Sequence, residues 1–313
     1  MVSLKDIESA KDRIGKYIYE TPIIRMNGLY EVLGCEVYVK PECMQKTNSF
    51  KIRGALNKIF SLSKEQLDKG VVTVSSGNHG KGVAFAAKML GIKAVVVLPN
   101  TAPSIKVEGI RTLGAEVVQC DIMERYVVAN KLHDKYGYYF IHPYDDNEII
   151  AGQGTCGYEI IHQLQDVNKV IVPIGGGGLI SGVAIAIKGV NPKVKIIGVE
   201  PAIIPRYIKS REVGKAITLD GKLSLADALL TTKPGELNFP IVQQFVDEIV
   251  AVDEEYITKG TNVLMNYGKI IAEPSSCIGV GAVMQGKLKF EKNEKVCFLI
   301  SGGNIELSTI AKL

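Results

Sequence analysis

Four short stretches of this chain combine residue types that could do chemistry on a small ligand. The first is Gly175-Gly176-Gly177-Gly178-Leu179-Ile180-Ser181-Gly182, which follows the strand-like run 169–174 and opens a helix. Four consecutive glycines can turn successive backbone N–H groups onto one anion, and a helix N-terminus adds favourable potential for phosphate. The run is not the GxGxxG dinucleotide fingerprint, since Ile180 stands at the third glycine position, nor a P-loop, since no Lys-Ser/Thr pair follows. Its strand–turn–helix setting favours phosphate binding over a plain turn. The second stretch is Ser75-Ser76-Gly77-Asn78-His79-Gly80, before an Ala-rich helix. Its N–H groups suit a carboxylate, Asn78 offers a donor and an acceptor, and His79 could orient a group. On spacing alone it reads first as a helix start capped by Ser75 or Ser76.

The third stretch carries Lys51, in Thr47-Asn48-Ser49-Phe50-Lys51-Ile52-Arg53-Gly54-Ala55. A lysine is ordinarily a solvated surface residue. Shielded among apolar and cationic neighbours, it loses proton affinity and can form a Schiff base. Phe50 and Arg53 supply such neighbours if the fold turns them inward. The fourth is Ser301-Gly302-Gly303-Asn304, directly after the apolar run 296–300, at the carboxyl end of a strand where ligands of α/β sheets bind. Its alternative is a strand-terminating turn.

These loops need elements to hold them. Apolar, β-branched runs at 35–40, 71–74, 94–98, 116–119, 169–173, 195–199 and 295–300 read as strands buried on both faces. Helical patterns at 80–90, 104–113 and 179–187 separate them, so the fold is α/β with largely parallel sheets. Residues 71–119 hold enough strands for a sheet of their own. We expect a small α/β domain at 70–147 inserted in a larger one built from 1–69 and 148–313. Residues 1–18 read as an amphipathic helix with Ser3 as N-cap.

The 313 residues carry 37 Lys and Arg against 33 Asp and Glu, 46% hydrophobic residues and 22% charged ones. That composition excludes a disordered chain and gives no case for nucleic acid. No apolar run approaches a membrane span. The six cysteines are scattered without a C-x-x-C pair, and no secretory segment is evident at the start, so reduced thiols and a cytoplasmic location are expected.

As a set, KTNSFKIRGALNKI, SSGNHGKGVAFAAK, AGQGT (151–155), VPIGGGGLISG and SGGN resemble fold-type II pyridoxal phosphate enzymes. Within them the chain is similar to the threonine/serine dehydratase and serine racemase branch. The stretches occur in the family's order and span most of the chain. The resemblance implies a tryptophan synthase β-like fold, two open, twisted, mainly parallel sheets with the cofactor between domains. It also implies a homodimer. Lys51 looks like the lysine bonded to the cofactor. Gly175, Gly176, Gly177, Gly178 and Leu179 look like its phosphate cradle. Asn78 looks like the partner of the ring 3-oxygen, Phe50 like the residue that packs on the ring, and Ser301 like the partner of the pyridine nitrogen. Ser75, Ser76, Asn78 and His79 look like the loop that closes on the substrate carboxylate. A hydroxyl gives the ring no counter-charge, so the ring is a weaker electron sink, which suits β-elimination. The implied activity is dehydration of L-threonine or L-serine to a 2-oxo acid and ammonia, with Lys51 as the base at Cα. Ser76 makes a two-base serine racemase the alternative. Hydroxyaspartate dehydratases also carry a serine there, so 3-hydroxyaspartate stays open as a substrate.

Three positions depart from the family pattern. Asn48 replaces a glycine, and Asn tolerates the left-handed conformation better than most residues. Ala228 replaces another glycine, at the cofactor's edge. Metal-activated members place a Glu, a carbonyl four residues on and an Asp two further. Here Glu200 is followed by Arg206, a cation where a hard oxygen ligand for Mg²⁺ or Ca²⁺ would stand, so no metal is expected and Arg206 is expected to pair with Glu200. No room follows Leu313 for the regulatory domain of feedback-controlled dehydratases, so simple kinetics are expected. Two other classes fit the sequence less well. A dinucleotide dehydrogenase lacks its fingerprint here. A non-catalytic amino-acid sensor need not keep Lys51.

Overall fold

Apolar runs give ten strands in two sheets among the described residues. The computed structural model describes residues 1–75 and 77–312. The strands are β1 (Ile24–Arg25), β2 (Glu36–Pro41), β3 (Val71–Val74), β4 (Ala94–Pro99), β5 (Glu116–Cys120), β6 (Tyr139–Phe140), β7 (Lys169–Pro173), β8 (Lys195–Pro201), β9 (Glu248–Val252) and β10 (Lys295–Ile300). The larger sheet has the order β1-β2-β10-β7-β8-β9, and the smaller β5-β4-β3-β6. Only β1 runs antiparallel to its neighbour; the other pairings are parallel. The chain is an α/β protein with two mainly parallel sheets and flanking helices.

The side-chain alternation shows why the central strands are apolar throughout. Val296, Phe298 and Ile300 of β10 join Ile171 of β7 in one core, with Ile278 of the helix Pro274–Met284. Cys297 and Leu299 join Val170 and Val172 in another, against Ile180 and Val183 of the helix Gly178–Val190. Successive residues therefore enter different layers, and neither face meets water. Each such aliphatic side chain contributes about 1.5–3 kcal/mol on burial.

Three helices meet with almost no side chains between them. A Cβ on Gly152, in the helix Asn147–Gln163, would come 2.6 Å from Gly54 Cα in the helix Lys51–Phe60. A Cβ on Gly182 would come 2.4 Å from Ile150 O. The AGQGT stretch is thus a helix-packing seam. It fixes the helix that starts at Lys51 against the one that starts at Gly178.

At the other end of the chain, Ser3 caps the helix Leu4–Ile14 through a reciprocal pair with Asp6, as its sequence pattern predicts. Three strands escape the sequence reading: β1 and β6, which have two residues each, and β9, which is a half-exposed edge strand. Their runs are too short or too weakly buried to stand out.

Candidate active site

The carboxyl ends of β3, β7 and β10 open on one cleft of about 250 Å³. It is lined by Phe50, Lys51, Ser75, Asn78, His79, Gly175 to Gly178, Leu179 and Ser301. The four stretches chosen for their chemistry therefore converge. Ser76 lies outside the described residues.

Lys51 is held by a turn and a clamp. Asn48 takes φ +57°, the left-handed conformation that Asn tolerates, so the turn survives without glycine. Phe50 N then donates to Ser301 O at 3.0 Å, and Gly303 N to Asn48 O at 2.8 Å. These bonds bind the Lys51 segment to the loop after β10. Lys51 Nζ donates to Pro143 O at 2.7 Å and stands 5.2 Å from the Phe50 ring centroid. Burial pulls its pKa down to about 8, while the Glu273 carboxylate works against that shift. A substantial fraction of the amine is then neutral near physiological pH, as a nucleophile requires.

Arg53 is not one of the cationic neighbours expected to depress Lys51. Two residues along a helix rotate a side chain by about 200°, so Arg53 points away from the cleft. It is fully buried, with its guanidinium on Glu42 at 2.7 Å and Glu159 at 2.6 Å. Lys40 completes this network on Glu159.

The glycine loop runs from β7 into the helix Gly178–Val190, with Gly177 at φ +101°. A Cβ there would fall 1.9 Å from the Tyr207 hydroxyl oxygen. No backbone N–H from Gly175 to Ile180 has a protein partner among the described residues. Unpaired donors at the N-terminus of a 13-residue helix form an anion site facing the same cleft as Lys51.

The N-cap of the helix Asn78–Leu90 is Gly77 and not the expected Ser75, because the chain enters the helix two residues later; Ser75 reaches forward to the helix start from outside it. Its Oγ accepts from Gly77 N at 3.0 Å and from Gly80 N at 2.8 Å. His79 is buried, with Nε2 3.4 Å from Ile141 O and Nδ1 without a partner among the described residues. Burial, with Lys51 nearby, holds its pKa well below the usual histidine value, so the ring is neutral. Ser301 Oγ is buried 3.0 Å from Ser276 Oγ. Ala228, the other departure, also lines the cleft, with its N–H on Ser275 Oγ at 3.0 Å.

Glu273 is a cleft residue that sequence reasoning missed. It is buried just before the helix Pro274–Met284, and its Oε1 accepts from Asn78 Nδ2 at 2.8 Å. Asn78 Oδ1 accepts in turn from Asn304 Nδ2 at 2.8 Å, so the amide's orientation is set from both sides. Burial, then the charge of Asp227, raises the Glu273 pKa to about 7, against Lys106 and the Asn78 bond. Lys106 itself pairs with Asp227 across the cleft. The available signal was an acidic residue directly ahead of a Pro-led apolar run, Glu-Pro-Ser-Ser-Cys-Ile.

Glu200 is buried at the end of β8, outside the cleft lining. It accepts from Tyr207 N at 3.0 Å and Ile208 N at 2.9 Å, and Arg206 Nη1 lies 3.7 Å away. The expected pairing of Arg206 with Glu200 is present.

A row of unpaired N–H groups fits a phosphate, and a shielded lysine facing it fits an aldehyde. Both requirements of pyridoxal phosphate are met by one cleft. The sequence profile of the family described as "Pyridoxal-phosphate dependent enzyme" matches residues 14–302. The L-threonine ammonia-lyase of Thermotoga maritima is 46% identical over 315 residues, covering 100% of this chain and 78% of that protein. The serine racemase of Dictyostelium discoideum is 41% identical over 323 residues, covering 100% of this chain and 98% of that one. The solved structure of maize serine racemase superposes with a TM-score of 0.95 at 38% identity, over 99% of this chain and 96% of that one. The chain belongs to the pyridoxal-phosphate dependent enzymes, in the fold-type II group.

Proposed function

We propose that this enzyme is an L-threonine/L-serine ammonia-lyase, giving a 2-oxo acid and ammonia by loss of water. The observation that carries the reading is the Lys51 amine, its pKa pulled down to about 8 by burial, facing the unpaired amides of the glycine loop. Bound pyridoxal phosphate supplies an electron sink for negative charge at the amino acid's Cα. Lys51 would hold that group through its side-chain amine. The amides of Gly175 to Leu179 would bind its phosphate, Phe50 would pack on its ring, and Asn78, one amide proton already given to Glu273, would offer the other to the ring oxygen. Ser301 would offer the ring nitrogen a hydroxyl, which gives no counter-charge. As a free amine, Lys51 would take the substrate's Cα proton as general base. The Ser75, Ser76, Asn78 and His79 loop holds the substrate carboxylate and excludes water. The β-hydroxyl would leave as water, carrying the proton taken from Cα and passed on by Lys51, and hydrolysis of the enamine so released would give the 2-oxo acid and ammonia.

The second reading is a serine racemase, in which Ser76 serves the face of Cα opposite Lys51. The relatives include both activities, at 46% and 41% identity. Purified, cofactor-loaded enzyme given L-serine, and separately L-threonine, distinguishes them. Predominant 2-oxo acid supports the lyase. Predominant D-serine makes racemisation the principal activity. Parallel assay of 3-hydroxyaspartate tests the remaining substrate.

The same reading takes residues 70–147 as the smaller domain, since Ser75, Lys106 and Pro143 reach the cleft from that span. It also makes the enzyme a cytoplasmic homodimer. All six cysteines are free thiols, which suits a reducing compartment. Met44 and Ile271 are exposed at 50% and 57%, on neighbouring segments beside Gly303, and form the apolar surface assigned to the second copy. Sedimentation of wild type against Met44→Glu checks this.

A further inference from the structure

Arg206 is fully buried, yet it lies outside the cleft and no step above uses it. Its guanidinium gathers oxygens from separate segments. Nε donates to Thr231 O at 2.6 Å, and Nη2 donates to Leu229 O and to Ile174 O, the latter at 3.2 Å. Nη1 donates to Ile204 O at 3.4 Å and stands 3.7 Å from the Glu200 carboxylate. Ile174 directly precedes the glycine loop, and Leu229 and Thr231 form part of the cleft wall. A buried charge is tolerated only when its donors are satisfied. Here the planar fork of the guanidinium meets an oxygen in each direction.

Several carbonyl oxygens and one carboxylate around one buried point are the donor set of a hard divalent cation. The protein has its own cation at that point, so a metal ion does not fit. We propose that Arg206 is the resident cation of the phosphate cradle, a positioning residue that ties the Ile174 end of the glycine loop to the 229–231 wall without a metal. The proposal rests on reading Gly175 to Leu179 as the phosphate cradle. Its prediction about ion binding does not depend on that reading.

The test uses the full chain as wild type, Arg206→Met and Arg206→Asp. Melting temperature is measured on cofactor-free protein with EDTA or with calcium chloride, and pyridoxal phosphate affinity by titration. Wild type should respond to neither EDTA nor calcium in either measurement. R206M should bind pyridoxal phosphate about ten- to a hundredfold more weakly, the usual consequence of removing groups that support a ligand set. Calcium should not restore it. R206D, which offers a second carboxylate beside Glu200, should melt lower and recover with calcium. Should R206D not fold alone, recovery of folded protein in calcium is the same readout. A merely structural arginine would not create calcium dependence on replacement by Asp. Wild type that is stabilised by calcium, or R206D indifferent to it, overturns the resident-cation assignment. R206M with wild-type cofactor affinity overturns the positioning role. Failure of wild type to bind pyridoxal phosphate at all would instead overturn the cradle reading, and the calcium arm would still decide the role of Arg206.

Discussion

Lys51 and Arg53 sit two residues apart on one helix and have opposite fates. Arg53 is buried with carboxylates on both sides, Glu42 and Glu159, and its charge is matched. Lys51 is half-buried with one carbonyl partner, and its charge is not matched in the same way. A satisfied buried charge holds structure in place. A shielded amine that has been left under-satisfied keeps reactivity in reserve. The same contrast separates the closed seam of helices behind the cleft from the unpaired amides of the glycine loop in front of it. Sites stand out as the places where the surrounding structure declines to complete its own hydrogen bonds.

The largest expected effect is on Lys51. Lys51→Ala should lower turnover at least about 10³-fold and leave the fold intact, because it removes a desolvated amine rather than half of an ion pair. Steady-state rates and thermal melting of the same preparation check both halves. Arg53→Met should do the reverse in kind. Leaving Glu42 and Glu159 buried without their partner should cost about 3–5 kcal/mol of stability, read by urea unfolding. If K51A proves the less stable of the two, the contrast between the faces fails.

Gly177→Ala sharpens the comparison at the other wall. Its Cβ would strike the Tyr207 hydroxyl from a left-handed backbone, at an expected cost of about 1–3 kcal/mol and a visible loss of cofactor affinity. The smallest effect concerns Glu273. Its pKa is raised to about 7, so in the cofactor-free protein the folded state keeps a proton that the unfolded chain has already lost. Stability should therefore fall as pH rises from the ordinary carboxyl range to about 7, and level off above it. Glu273→Gln should flatten that slope. An unchanged slope in E273Q would assign the titration to another group.

The strands at 71–74, 169–173 and 295–300 were legible because layers on both faces impose continuous apolar runs. The capped start at Ser3 was legible because side-chain oxygen and helix amides are local in sequence, whereas Ser75 binds Gly80 N from two residues ahead of the true cap, Gly77. The convergence of Lys51, Asn78, Gly175 and Ser301 was legible only through family resemblance, since no spacing rule joins loops so far apart. Glu273 was legible only as an acidic residue ahead of a Pro-led apolar run, not as a cleft residue. Its proximity to Asn78 spans 195 positions and depends on how the two sheets are set against each other. Whether Arg53 faces Lys51 was left open by the sequence, because the start of the helix, and so its rotation, was not fixed there. Arg206 was readable as a cation in an unexpected place, but the carbonyls it gathers belong to segments that only the fold brings together.

Covalent labelling tests the central claim most directly. Protein loaded with pyridoxal phosphate is reduced with borohydride, digested, and the modified lysine located by mass spectrometry. The account predicts the pyridoxyl group on Lys51, in the peptide beginning after Lys46, and its loss in K51A. A stable label on another lysine, or none, would contradict it.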